Sequence, residues 1–129
     1  MKPKVQQAID EIKTAYPPVP VTVREDGDGG AYVILEKVDV GQIYRGGVSW
    51  IGFRITFTYR DPVADIYPHY VRGDLARADG RPLGDAMSST TFEGRPAIQI
   101  SRRSNHINPR TETALIKLQK VLTWLAERP

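Results

Sequence analysis

Residues 50–59, WIGFRITFTY, restrict the possible folds more than any other stretch of the chain. Phe53, Ile55, Phe57 and Tyr59 alternate with Arg54, Thr56 and Thr58. A period of two puts the apolar set on one face of a strand and the polar set on the other. Such a strand belongs to a sheet packed on one side and wetted on the other, which is the habit of antiparallel sheets. Two more β-rich runs precede it. Val19, Val21 and Val23 alternate over 19–24, and AYVILEKVDV fills 31–40. Between them Gly27-Asp28-Gly29-Gly30 reads as a turn, because such a run favours positive φ.

Helices are expected at both ends of this meander. Pro3 suits the first helical turn, and Val5, Ala8, Ile9, Ile12, Ala15 and Tyr16 then recur at three- and four-residue spacing. Pro17-Pro18 ends that helix, since neither residue can donate the next backbone bond. Toward the C-terminus, Asn108-Pro109 reads as a cap followed by a first-turn proline. A stripe of Leu115, Leu118, Leu122 and Leu125 runs on to Glu127, with Lys117, Gln119 and Lys120 outside it. Between the meander and this helix, Ile66–Val71 is expected to be an extended segment over the sheet edge. Arg72–Ser89 reads as a long loop, and Pro96–Ser101 as a short extended piece. The predicted class is α+β, one domain over residues 1–129, with Trp50 and Trp124 core or half-buried.

The chain has no cysteine, which excludes thiolate nucleophiles, disulfides and cysteine-held metals. His69 and His106 stand far apart without ligand-spaced acids, so no metal site is implied. GDGG lacks the lysine and helix of a phosphate loop, and no cofactor is implied either. The net charge of +3 is mild, and the only dense basic stretch is Arg102-Arg103, with Arg110 nearby. An acidic protein partner is equally compatible with it, so charge alone does not choose, and a nucleic-acid partner is not the expected one. Neither a secretory leader nor an apolar run of membrane-spanning length is present, so the expected location is cytoplasmic, with no membrane partner.

The segment FRITFTYRDPVADIYPHYV, then GRPAIQIS, then Asn108-Pro109 through Leu125 resembles the ubiquitin-conjugating enzyme fold over nearly the whole chain. YPHYVRGDL and QISRRSN are similar to the bacterial branch of that family. The resemblance implies a UBC-like architecture: N-terminal helix, antiparallel β-meander, long irregular segment, C-terminal helix. It implies a ubiquitin-like protein and an activating enzyme as partners. The family's catalytic cysteine is replaced here: the matching stretch reads Ile98-Gln99-Ile100-Ser101, and the His-Pro-Asn tripeptide is missing.

Thioester chemistry is therefore excluded, whereas an oxyester on Ser101 is not. A hydroxyl needs a base, and His106, or alternatively His69, supplies an imidazole with the right ordinary pKa. Asn105 is placed to donate to an oxyanion, the role that the resemblance gives an asparagine. Arg102 and Arg103 are placed to hold a carboxylate-bearing partner surface. Besides a small basic nucleic-acid adaptor, the weakest reading, two functions are compatible with these residues. One is transfer of a ubiquitin-like modifier through Ser101; the other is a catalytically inactive binding scaffold of the same fold. On the second reading Ser101 is an ordinary solvated serine, and His69 packs in an aromatic cluster.

Overall fold

The computed structural model describes residues 1–59, 65–101 and 112–129. Helix α1 (Pro3–Ala15) is followed by strands β1 (Val21–Glu25), β2 (Ala31–Asp39), β3 (Val48–Ile55) and β4 (His69–Arg72). The hairpin β5 (Met87–Phe92) and β6 (Arg95–Ile100) comes next, and helix α2 (Ala114–Glu127) closes the described chain. All neighbouring strands are antiparallel, in the order β1-β2-β3-β4-β6-β5. The α+β class and the helix–sheet–helix order therefore hold.

One face of the sheet carries the main core. Val33, Leu35, Ile51, Phe53, Ile55, Val71, Ile98 and Ile100 meet Val5, Ile9 and Ile12 of α1 and Leu118, Val121 and Leu125 of α2. Removing a side chain the size of Phe53 from water stabilises such a core by roughly 2–3 kcal/mol. Tyr44 locks α2 in place, donating from its buried hydroxyl to the Leu125 carbonyl at 3.0 Å. Gly41 makes that approach possible: a Cβ there would lie 2.8 Å from the Ala126 Cα.

Several expectations need correction. The third strand stops at Ile55 instead of Tyr59, and Phe57 is exposed. Beyond Ile55 the chain turns, and Gly30 sits so near the Ile55 carbonyl and the Thr56 Cα that a side chain there would collide with both. The segment around His69 is an internal strand, paired with β3 and β6, not a cover over the sheet edge. The expected loop after Arg72 ends early, because Met87–Phe92 pairs with Arg95–Ile100 over six consecutive residues. Its middle is pinned against the 43–45 turn by the hydrogen bonds Arg45 N–H to Ala76 O and Ala78 N–H to Ile43 O.

Helix α2 begins at Ala114, capped by the Thr113 side chain, which accepts from the Ile116 N–H. Asn108-Pro109, the expected start, lies outside the described residues. Lys117, outside the leucine stripe, is nonetheless buried and pairs with Asp65 at 3.3 Å. Trp50 and Trp124 are half-buried, as expected.

Candidate functional site

Ser101 follows the last residue of β6. It is exposed, and its N–H donates to the Ala86 carbonyl at 2.8 Å. The preceding residue, Ile100, pairs with His69 on one side and Met87 on the other. The main chain leading into Ser101 is thus held from both sides while the hydroxyl end of the residue meets solvent. Arg102, Arg103, Asn105 and His106 lie outside the described residues.

His69 is one strand away, and the fold turns it inward. Its ring is fully buried, 5.1 Å from the Phe53 ring, and neither ring nitrogen has a hydrogen-bond partner. Burial pushes its pKa down from 6.5 to about 3, with the nearby Lys117 ammonium adding to the effect. A neutral imidazole of such low basicity, packed in the core with no bond to Ser101, is placed as a packing residue.

The face of the sheet away from the helices carries what sequence reading passed over. There Ile34, Phe92 and Ala97 form a second cluster, with Tyr32, Trp50 and Tyr70 packed against it. Phe92 is the keystone. It stacks on Tyr70 at 4.4 Å and on Trp50 at 6.3 Å, and meets Tyr32 edge-on at 6.1 Å. Room for it comes from Gly52: a Cβ on that residue would lie 2.5 Å from the Phe92 ring.

Phe92 belongs to the strand at one edge of the sheet, so it reaches Gly52 and Tyr32 only because the hairpin folds back over the open face. The two-residue turn Glu93-Gly94, with φ of 50° and 75°, suits such a twisted hairpin. Two bidentate ion pairs fasten it: Arg24 to Glu93 and Arg95 to Glu36. The arginines hold both carboxyls below their ordinary range. Arg24 and Arg54 flank the Tyr32 ring at 4.5 and 5.2 Å, and Arg95 lies over Trp50 at 5.3 Å.

Beside this cluster lies a groove of about 530 Å³. Thr91 and Glu93 of the hairpin form one bank, Tyr67 and Pro68 the other, and Tyr32, Tyr70 and Phe92 contribute aromatic walls. Arg54 also lines it, holding the Asp26 carboxylate at 2.9 Å. Asp26 stays ionised because the Asp28 N–H, then Arg54 and the Gly30 N–H, bond its oxygens. The signals for this face were present in the sequence: a glycine inside a strand, Gly52, and the FEGR turn.

No helix among the described residues is long and apolar enough to cross a membrane. Compared with models of known protein families, with characterised proteins and with solved structures, the chain matches none.

Proposed function

We propose that this chain is a ubiquitin-conjugating-like domain that receives the C-terminal carboxyl of a ubiquitin-like modifier on Ser101 and passes it to an amine. The observation that carries this reading is the placement of Ser101. It stands exposed at a strand end, with its backbone held, directly after the strand that pairs with β4. In the transfer the Ser101 oxygen attacks the modifier's activated carbonyl, the activating enzyme's thiol leaves, and the serine proton passes to a base. An incoming amine then attacks the oxyester and restores the hydroxyl. Since His69 is sealed in the core, His106 is the residue assigned as that base.

A specific observation favours a second reading, a non-catalytic scaffold: the imidazole nearest Ser101 in the described structure is turned away from it, while the aromatic face offers a binding surface. Intact mass separates the two after incubation with an activating enzyme, its ubiquitin-like protein and ATP. A species heavier by one modifier, stable to reductant, lost in hydroxylamine and absent from Ser101→Ala, supports the oxyester. Binding without any covalent species supports the scaffold.

A further inference from the structure

A shallow basin of about 660 Å³ opens beside Trp50, at the end of β4 away from His69 and Ser101. Two irregularities of the backbone shape it. Leu35 faces Ile51 and Val38 faces Ser49, so Glu36 and Lys37 together oppose Trp50. A bulge of this kind re-aims side chains, and Lys37 stands exposed on it. The second irregularity is the turn after β2, where Gly46 and Gly47 take φ of 78° and 69°. Arg72 fastens this turn. Its Nε donates to the Val48 carbonyl at 3.0 Å and its Nη2 to the Arg45 carbonyl at 2.7 Å. The Arg45 N–H in turn bonds Ala76 O at 2.9 Å. The main chain at Arg45 is therefore fixed, while its side chain is exposed.

Arg45 is an exception in this protein. Among the described residues, Arg24, Arg54, Arg72, Arg77, Arg81 and Arg95 all hold carboxylates, and Arg128 bonds the Met87 sulfur. Neither Arg45 nor Lys37 meets a described carboxylate. The acid of the basin itself, Glu36, gives them nothing, since Arg95 takes both its oxygens and Thr22 donates to one of them. Two cations without counter-charges thus border a floor where Val48 is exposed and Trp50 half-buried. An apolar centre with a polar rim is the anatomy of a protein-binding patch.

The surroundings set the size and charge of the occupant. Arg24, Arg54 and Arg95, which flank the outer aromatic cluster, are already neutralised. Asp39, opposite Val48, and Asp74, paired with Arg72, are exposed acids at the border of the basin. A nucleic-acid backbone follows a continuous basic track, and these residues interrupt one. A short acidic segment meets both requirements: carboxylates for the two open cations, and one aliphatic side chain for the floor.

We propose that this basin docks an acidic peptide segment of a partner protein, with Lys37 and Arg45 holding its carboxylates and Val48 with Trp50 receiving an aliphatic side chain between them. The site is separate from Ser101 and stands whether or not the chain conjugates a modifier.

The test is an amide nitrogen–proton NMR titration of the full chain with the acetylated, amidated peptide Glu-Asp-Leu-Glu-Asp at low salt. The expected result is saturating shifts of the Lys37 and Arg45 amides and of the Trp50 indole N–H, which weaken as salt is added. The neutral peptide Gln-Asn-Leu-Gln-Asn, of nearly the same shape, should bind about tenfold more weakly. Lys37→Gln and Arg45→Gln should each lower affinity for the acidic peptide about threefold, and the double variant about tenfold. Their unfolding midpoints should not move, because no described group loses a partner. Equal binding of the two peptides, or full affinity in the double variant, would overturn the site. Tighter binding of a single-stranded oligothymidine at the same residues would overturn it in favour of nucleic acid. Shifts of these residues on dilution of the chain alone would overturn it in favour of a second copy.

Discussion

The Glu93 carboxylate and the Arg24 guanidinium meet through two hydrogen bonds, 2.7 and 2.8 Å long, although their strands occupy opposite halves of the sheet. Arg24 lies on the edge strand β1, and Glu93 caps the hairpin whose outer strand is the other edge. Contact between them requires the hairpin to curl across the open face. Phe92 and Gly52 then supply most of what keeps that curl in place, because the Arg24 side chain is 60% exposed and a pair so open to water adds little stability.

Phe92→Ala is expected to destabilise the protein by roughly 2–4 kcal/mol, since the ring is almost fully buried against three other aromatics. Gly52→Ala should cost about 1–3 kcal/mol, by forcing the ring away from a Cβ it cannot accommodate. Because both changes dislodge the same ring, the double variant should cost clearly less than the two separate losses together. Urea unfolding of the four proteins checks this. Simple additivity would mean that Phe92 and Gly52 act independently.

His69 makes the protein acid-sensitive. In the folded state its pKa is about 3, against an ordinary value of 6.5 in the unfolded chain. As pH falls below about 6.5 the unfolded chain takes up a proton that the folded one refuses. Stability contributed by this group is therefore present at neutral pH and lost progressively toward pH 3, by at most about 1.4 kcal/mol per pH unit. His69→Leu should flatten that slope and raise stability at pH 7, because two unpartnered buried nitrogens disappear and the packing on Phe53 remains. Denaturant midpoints from pH 7 to pH 4 provide the measurement. An unchanged slope would assign the acid sensitivity to other groups.

Tyr44→Phe isolates one hydrogen bond near the end of α2. The hydroxyl donates to the Leu125 carbonyl in a buried setting, so its removal leaves that carbonyl without this partner. The expected cost is about 1–2 kcal/mol. Faster amide exchange in the last turn of α2 than in β2 should accompany it. Uniform acceleration across the chain would show that the helix end is not separately fastened.

Local periodicity made part of this fold legible. Helix α1 runs as its 3.6-residue pattern and Pro17-Pro18 require, and β2 fills the apolar run from Ala31. What was missed depends on contacts between distant residues. The strand MSSTTF has almost no apolar signal, since four of its six residues are exposed, and only pairing with β6 makes it a strand. Phe57 and Tyr59 continue the alternation of β3, yet the close approach of Gly30 ends the ladder at Ile55. His69 looked like a candidate base because residue type reveals chemistry but not direction; its register opposite Phe53 turns it inward. Ser101 is exposed at the end of β6, whereas Arg102, Arg103, Asn105 and His106 lie outside the described residues.

Asp65 and Lys117 should respond unequally to loss of the other. The lysine side chain is 6% exposed and the aspartate 17%, so loss of the opposite charge costs the more buried lysine more. Asp65→Ala is expected to destabilise by about 2 kcal/mol or more, and Lys117→Met by less, since its apolar stem is kept. Lys117→Met should also raise the His69 pKa, because a positive neighbour is removed. Paired denaturation curves and a histidine proton titration by NMR check the two statements. Equal losses would mean that the pair stays solvated enough to tolerate either break.

Ser101→Cys tests the nucleophile by changing the chemistry of its product. On the conjugation reading the wild-type adduct is an oxyester, which thiols at neutral pH leave intact and hydroxylamine cleaves. A thiolate at the same exposed strand end is the stronger nucleophile at neutral pH. The variant should form its adduct at least as fast, as a thioester that dithiothreitol releases within minutes. Ser101→Ala should form none, with its unfolding midpoint unchanged, because the residue's structural bond is made by its backbone N–H. A reductant-resistant adduct on the cysteine variant would place the modifier on another residue. A reductant-sensitive one would tie the linkage to position 101, since the protein has no cysteine of its own.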